Sequence, residues 1–143
     1  QCLSPRQRRV AAEARLGTLL RVCGERLDVP ARAGLSVRLT DDAELRDLNA
    51  RFLGTDASTD VLAFPAGDRS RVGDIAISVE RAIDQASDAV AEVRLLAVHG
   101  LLHCLGHDHA LPDQAAAMTA ATRRLLPGAD VPDLQTTVVA ESQ

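Results

Sequence analysis

Apolar residues recur with two different periods along the 143-residue chain, and each change of period marks an element. Val10, Ala14, Leu16, Leu19, Leu20, Cys23 and Leu27 recur at helical spacing behind Ser4-Pro5, a capping residue followed by proline. One amphipathic helix is therefore expected over 5–27. A turn with a Pro and a Gly follows over 28–34. Leu35, Val37 and Leu39 then alternate with Ser36, Arg38 and Thr40, the pattern of a half-buried strand. Thr40 or Asp41 caps a short helix with Leu45, Leu48 and Phe52 on one face. After a polar loop over 53–59, Val61–Phe64 predicts a short apolar strand ended by Pro65. Residues 66–72 read as a loop, and Ile75, Ala76, Ile77 and Val79 form a third strand. A short helix runs from Glu80 to about Ala86. A longer one spans about Ala89 to Leu105 and is apolar enough over its second half to be buried. Gly106 is placed to end that helix with positive φ. A last Ala-rich helix covers 113–126, and the tail after about 127 is expected to be weakly ordered.

The chain has no internal repeat and no linker rich in Gly or Pro. The order α-β-α-β-β-α-α-α predicts a single domain over 1–143, a small sheet covered by helices in the α+β or mixed α/β class. Its 46% hydrophobic and 25% charged residues suit one packed domain and exclude wholesale disorder. The longest apolar stretch, 95–106, is too short to span a membrane and is broken by His99 and His103. The opening QCLSPRQRRV has basic residues with no apolar core behind them and does not read as a secretory signal. Cys2, Cys23 and Cys104 are odd in number and match no zinc-knuckle spacing, so they read as reduced thiols of a cytosolic protein.

Charge changes this picture in one respect. The net charge of −4 argues against indiscriminate coating of nucleic acid. Yet residues 1–32 hold seven Arg against three acids, and the rest hold nine Arg against seventeen acids. The basic end could steer a polyanion or be a solvated helix face.

The chemistry is concentrated in one place. All 4 histidines, His99, His103, His107 and His109, fall in the segment HGLLHCLGHDH. His99 and His103 are four apart, so both imidazoles lie on one helix face. A reversal at Gly106 would bring His109 back towards them. Three imidazoles leave a fourth position open for water, as catalytic zinc sites do; structural sites usually close with four Cys-rich ligands. One zinc ion on His99, His103 and His109 is the expected cofactor, although imidazoles also suit nickel, copper and iron. His107 reads as a bystander directed outward, with a substrate role as the alternative. Asp108 reads as an imidazole-orienting or turn-capping residue, and Cys104 as a small buried side chain or a fourth ligand. The spacing is also that of metzincin proteases, which carry a Glu base directly after the first His. Gly100 occupies that position here and cannot carry a proton.

The segment resembles the YbeY family of bacterial endoribonucleases, whose usual pattern is HGxLHLxGYDH or HGxLHLxGHDH. Three further segments match in order: Leu48-Asn49 with Phe52, Thr59–Pro65 (TDVLAFP), and Gly73-Asp74-Ile75. Glu92 stands where the family commonly has an acid. The resemblance covers about Leu35 to Leu126. It implies a four-stranded mixed sheet with the metal at the end of the long helix. It also implies single-strand-specific, metal-dependent cleavage of RNA in the cytoplasm. The expected partners are ribosomal RNA, at the 3′ end of the small-subunit molecule, and the ribosome itself. The family's metal positions fall on His99, His103 and His109.

Many members carry Arg after the aromatic residue of the Leu-Asn segment, where this chain has Leu53. Arg51 is then the candidate for binding the substrate phosphate, with a solvated helix residue as the alternative. Arg69, Arg71 and the N-terminal helix are further sources of charge. Thr59-Asp60 could line the cleft or cap a turn, and Asp74 could support a ligand or end a strand. Phe52 and Phe64 read as core residues rather than base-stacking platforms. No general base is named by the sequence. The competing classes are a zinc hydrolase of peptides or small esters and a non-catalytic, ribosome-associated metal module.

Overall fold

The computed structural model describes residues 3–30, 32–54, 59–68, 70–109 and 111–134. Cys2, Arg69, the 55–58 loop and the end of the tail from 135 lie outside them, as does the side chain of Leu53. The elements are α1 (Pro5–Ala14), α2 (Leu16–Arg26), β1 (Gly34–Thr40), α3 (Asp42–Leu53), β2 (Val61–Asp68), β3 (Arg71–Ser78), α4 (Val79–Gln85), α5 (Ala89–Cys104) and α6 (Pro112–Leu125).

The expected single N-terminal helix is two. Arg15 takes a left-handed conformation (φ 49, ψ 51) between Ala14 and Leu16, both buried. Residues two apart point to nearly opposite sides of a straight helix, so only a bend turns both towards the core. Arg94 Nη1 donates a hydrogen bond to the Ala14 carbonyl at 2.8 Å, satisfying an acceptor at the end of α1. Ser4 caps α1 in a reciprocal box with Gln7.

The described sheet has three strands in the order β1-β3-β2, with β1 parallel and β2 antiparallel to β3. The fold is a small α+β architecture with a mixed sheet. The strand expected to end at Pro65 continues to Asp68, and β3 begins at Arg71. Proline is tolerated because β2 is an edge strand, and because Pro65 sits where the register shifts before Asp68. Ile75 and Ile77 of β3 join the main core, which also takes buried residues from α1, α2, α5 and α6. Ala76 points to the other face, where Leu45, Leu48, Leu62 and Phe64 form a smaller cluster under α3.

Helix α5 is the spine of the main core. Val93, Leu96, Ala97, Val98, Leu101 and Leu102 are all buried. It lies close to β3: a Cβ on Gly100 would sit 2.7 Å from Ile75 Cγ2 and 3.1 Å from two further Ile75 carbons. The described residues beyond α6 form no regular element, yet Val131 is buried, and Leu134 N–H donates to Thr119 Oγ1 at 3.0 Å. Arg123 Nη2 also donates to the Val131 carbonyl at 2.8 Å.

Two of the helical glycines, Gly24 and Gly100, therefore respond oppositely to the same change. Gly24→Ala in α2 meets only Val29 Cβ at 3.7 Å, an ordinary contact, and should stabilise the fold by about 0.5–1 kcal/mol. Gly100→Ala gains the same propensity but overpacks Ile75, and should destabilise the protein by about 1 kcal/mol or more. Urea denaturation of both variants checks the signs.

Candidate active site

Helix α5 delivers His99 and His103 one turn apart, and the turn after it returns the chain through His109. The turn is hydrogen-bonded as a Schellman motif: His107 N–H donates to the Leu102 carbonyl at 2.9 Å and Gly106 N–H to the His103 carbonyl at 3.0 Å. Gly106 has φ +103, as expected for a glycine that reverses the chain. The His103 and His109 rings meet edge to face, with centroids 5.3 Å apart. His99 is electrostatically coupled to both. Its Nε2 is buried and has no hydrogen-bond partner among the described residues. The three imidazoles share one neighbourhood without converging. No three His, Cys, Asp or Glu side chains among the described residues form a group that could hold an ion.

Burial holds the His99 pKa down at about 4, with repulsion from His103 adding to the shift and Asp60 opposing it. His103 is also shifted down, by burial first and then by His109, while Asp108 and a hydrogen bond to the His107 backbone oppose. Asp108 Oδ1 accepts from the His109 N–H at 2.7 Å, so it caps the turn as anticipated. His107 contributes its backbone to His103, a role its side-chain chemistry did not suggest.

An acidic network adjoins His99. Gln85 Nε2 donates to Asp60 Oδ2 at 3.1 Å and to Glu92 Oε2 at 2.6 Å, joining a strand-start residue to α5. Glu92 lies seven residues before His99, two turns back along α5. The sequence singled out Asp60 and Glu92 but not Gln85, because the bridge spans the break between two helices where no periodicity relates its ends.

Other expectations fare differently. Phe52, expected in the core, is 62% exposed. Its ring lies edge-on to Phe64 at 5.8 Å, and only Phe64 joins the cluster under α3. Arg51 is exposed, pairs with Asp47 at 3.2 Å, and sets its guanidinium 5.6 Å from the Phe52 ring centroid. Asp74 pairs with Arg71 at 2.8 Å. The Cys104 thiol is pushed up to about 11 by burial and by Asp74, against a hydrogen bond to the Phe64 backbone. It is thus a protonated thiol at neutral pH. A cavity of about 480 Å³ opens between α2 and β1. Leu16, Leu20, Val29, Leu35, Val37 and Leu101 line it, with no histidine among its lining, so the titratable cluster is the better guide to function.

The family model described as Endoribonuclease YbeY matches residues 6–129. The chain belongs to the endoribonuclease YbeY family. Relatives named Endoribonuclease YbeY include one from Gloeobacter violaceus, 47% identical over 113 residues, covering 68% of this chain and 57% of the relative. One from Chelativorans is 42% identical over 112 residues, covering 71% and 69%. One from Mycolicibacterium gilvum is 39% identical over 132 residues, covering 80% and 74%. The chain thus spans little over half of the first relative's length and about seven-tenths of the other two. These relatives are endoribonucleases by name. A solution structure from Thermotoga maritima shares the fold, with a TM-score of 0.54 at 24% identity over 78% of this chain and 81% of that one.

The histidine shift fixes a pH dependence of stability. A His99 pKa of about 4 in the folded protein against about 6.5 unfolded means the unfolded chain binds the extra proton first. Stability is therefore full above pH 6.5 and falls as pH drops towards 4, by an amount on the order of 3 kcal/mol. Denaturation of the metal-free protein at several pH values should show this loss, and His99→Gln should reduce it, leaving the part that His103 contributes.

Proposed function

We propose that this chain is a single-strand-specific, metal-dependent endoribonuclease that acts on ribosomal RNA beside the ribosome in the cytoplasm. One divalent ion, zinc by preference, would be held by His99, His103 and His109. The observation that carries the reading is His99: a buried ring nitrogen with no partner, on an imidazole held neutral, is the donor state that a metal requires. The edge-to-face contact of His103 with His109, and the His107 backbone bond to His103, supply the support that ligating imidazoles need. When bound, the ion supplies positive charge to the scissile phosphate and acidifies water.

The chain's own residues do the rest. Asp60, tied through Gln85 to Glu92, provides a carboxylate whose negative charge acts on the His99 imidazole. Cys104 stays out of the ligand set. Its sulfur is bonded to the Phe64 backbone and packs where a Cβ on Gly73 would meet it at 2.8 Å. That leaves a fourth position for substrate or water, which favours an enzyme over a closed metal module. The protease alternative loses its base twice over. Gly100 lacks a side chain, and its Cα substituent would project into Ile75 rather than towards the imidazoles.

Cleavage of a single-stranded oligoribonucleotide by the metal-loaded chain, beside His103→Ala, tests the proposal. The variant should lose at least about a hundredfold in rate. Equal activity in both would expose a contaminating nuclease and end the reading. Metal analysis should find about one ion per chain, lost in His109→Ala. Product ends then identify the nucleophile, since attack by the 2′-OH leaves a 2′,3′-cyclic phosphate and attack by water does not.

A further inference from the structure

The chain has only two aromatic residues, and they meet each other at the surface. Phe52, in the last turn of α3, is 62% exposed, while Phe64 on the edge strand β2 is half-buried in the cluster beneath α3. The rings stand edge-on, 5.8 Å apart and inclined at 68°. That contact holds the outer ring in place before any ligand arrives. The Arg51 guanidinium sits 5.6 Å from the Phe52 centroid, and its bond to Asp47 is an exposed pair. A large apolar ring left in water beside a cation calls for a partner.

We propose that Phe52, backed by Phe64 and flanked by Arg51, is a stacking platform for one unpaired base of the single-stranded RNA. The inference rests on the endoribonuclease reading and adds a positioning residue to it. Three observations select a base as the occupant. Among the described side chains of α3 the other exposed ones are Ala43, Arg46, Asp47, Ala50 and Arg51, none of them a large apolar anchor of the kind a peptide helix needs one or two turns away. A flat π-face with an adjacent guanidinium suits a nucleobase followed by its phosphate. The platform is also joined to the histidine turn. The Phe64 backbone is hydrogen-bonded to the sulfur of Cys104, the residue after His103. Phe64 is thus a neighbour common to the exposed ring and to the last residue of α5.

The test uses the metal-loaded full chain and a short oligoribonucleotide carrying 2-aminopurine at successive positions. Wild type should quench the probe at one position, and Phe52→Ala should lose that quenching. Binding by Phe52→Ala should weaken roughly fivefold to a hundredfold. The loss should appear in KM, with kcat held within about twofold, because stacking fixes position and does not touch the reacting atoms. Phe52→Trp should restore affinity. Unchanged KM and quenching in Phe52→Ala would overturn the platform while leaving the nuclease intact. Wild-type affinity in Phe52→Leu would overturn it in favour of a plain apolar contact, as with a protein partner. Wild type that neither binds nor cleaves RNA would overturn the function itself, an outcome readily told apart because no variant would then differ. Phe52→Trp and Phe52→Leu keep a large side chain at the site and hold the test open if Phe52→Ala folds poorly.

Discussion

Helix α5 can lie against β3 only because Gly100 offers no side chain to Ile75, and that contact sets the position of everything at the helix's C-terminal end. A second close approach reinforces it lower down. A Cβ on Gly73 would meet the Phe64 carbonyl at 2.5 Å and Cys104 Sγ at 2.8 Å. Two glycines, one on each element, thus bring helix and hairpin together at both the middle and the end of α5. Interiors packed to crystal density transmit such a constraint, because no gap remains to absorb a displaced side chain. The backbone that carries His99 and His103 is positioned by this packing.

The same packing accounts for the electrostatics. Burial is the first cause of the lowered pKa at both His99 and His103 and of the raised one at Cys104. A low dielectric penalises each charged form, so it yields neutral imidazoles beside a protonated thiol. Nitrogen donors are left available and sulfur is withheld, although Cys104 directly follows His103 in the chain. Were an ion held here, the choice of nitrogen over sulfur would follow from burial that leaves the imidazoles neutral and the thiol protonated.

What was legible in the sequence follows from this division between local and tertiary causes. The histidine turn is local: helical spacing, a glycine and a capping Asp108 lie within eleven residues, and the turn forms as they predict. The strands and long helices are legible for the same reason. The bend at Arg15 was hidden because the periodicity either side of it is sound, and only the shared burial of Ala14 and Leu16 demands a kink. Strand β2 runs past Pro65 because its outer edge needs no partner, which a reading of proline as a strand terminator cannot see. Phe52 sits on the apolar face of α3 by spacing, yet its last turn meets only the edge of the sheet. The Gln85 bridge joins two elements that no pattern along the chain connects.

The substitution of Leu for the arginine that many YbeY members carry after the aromatic residue leaves open where positive charge meets the substrate. Three of the described arginines answer in a common way. Arg51 pairs with Asp47, Arg71 with Asp74 and Arg81 with Asp42, each at the surface or only partly buried. Such pairs are worth roughly 0–1 kcal/mol, so a guanidinium can exchange a carboxylate for a phosphate at little expense. The phosphate is the better acceptor for a bidentate fork and lies in a strand that carries many of them. Of the three, Arg51 stands beside the exposed ring, where a base held in place would bring its phosphate within reach. If the ring is the platform proposed above, loss of one fixed arginine would be offset by a cation whose engagement depends on the strand already being stacked, which would couple grip on the backbone to the presence of an unpaired base.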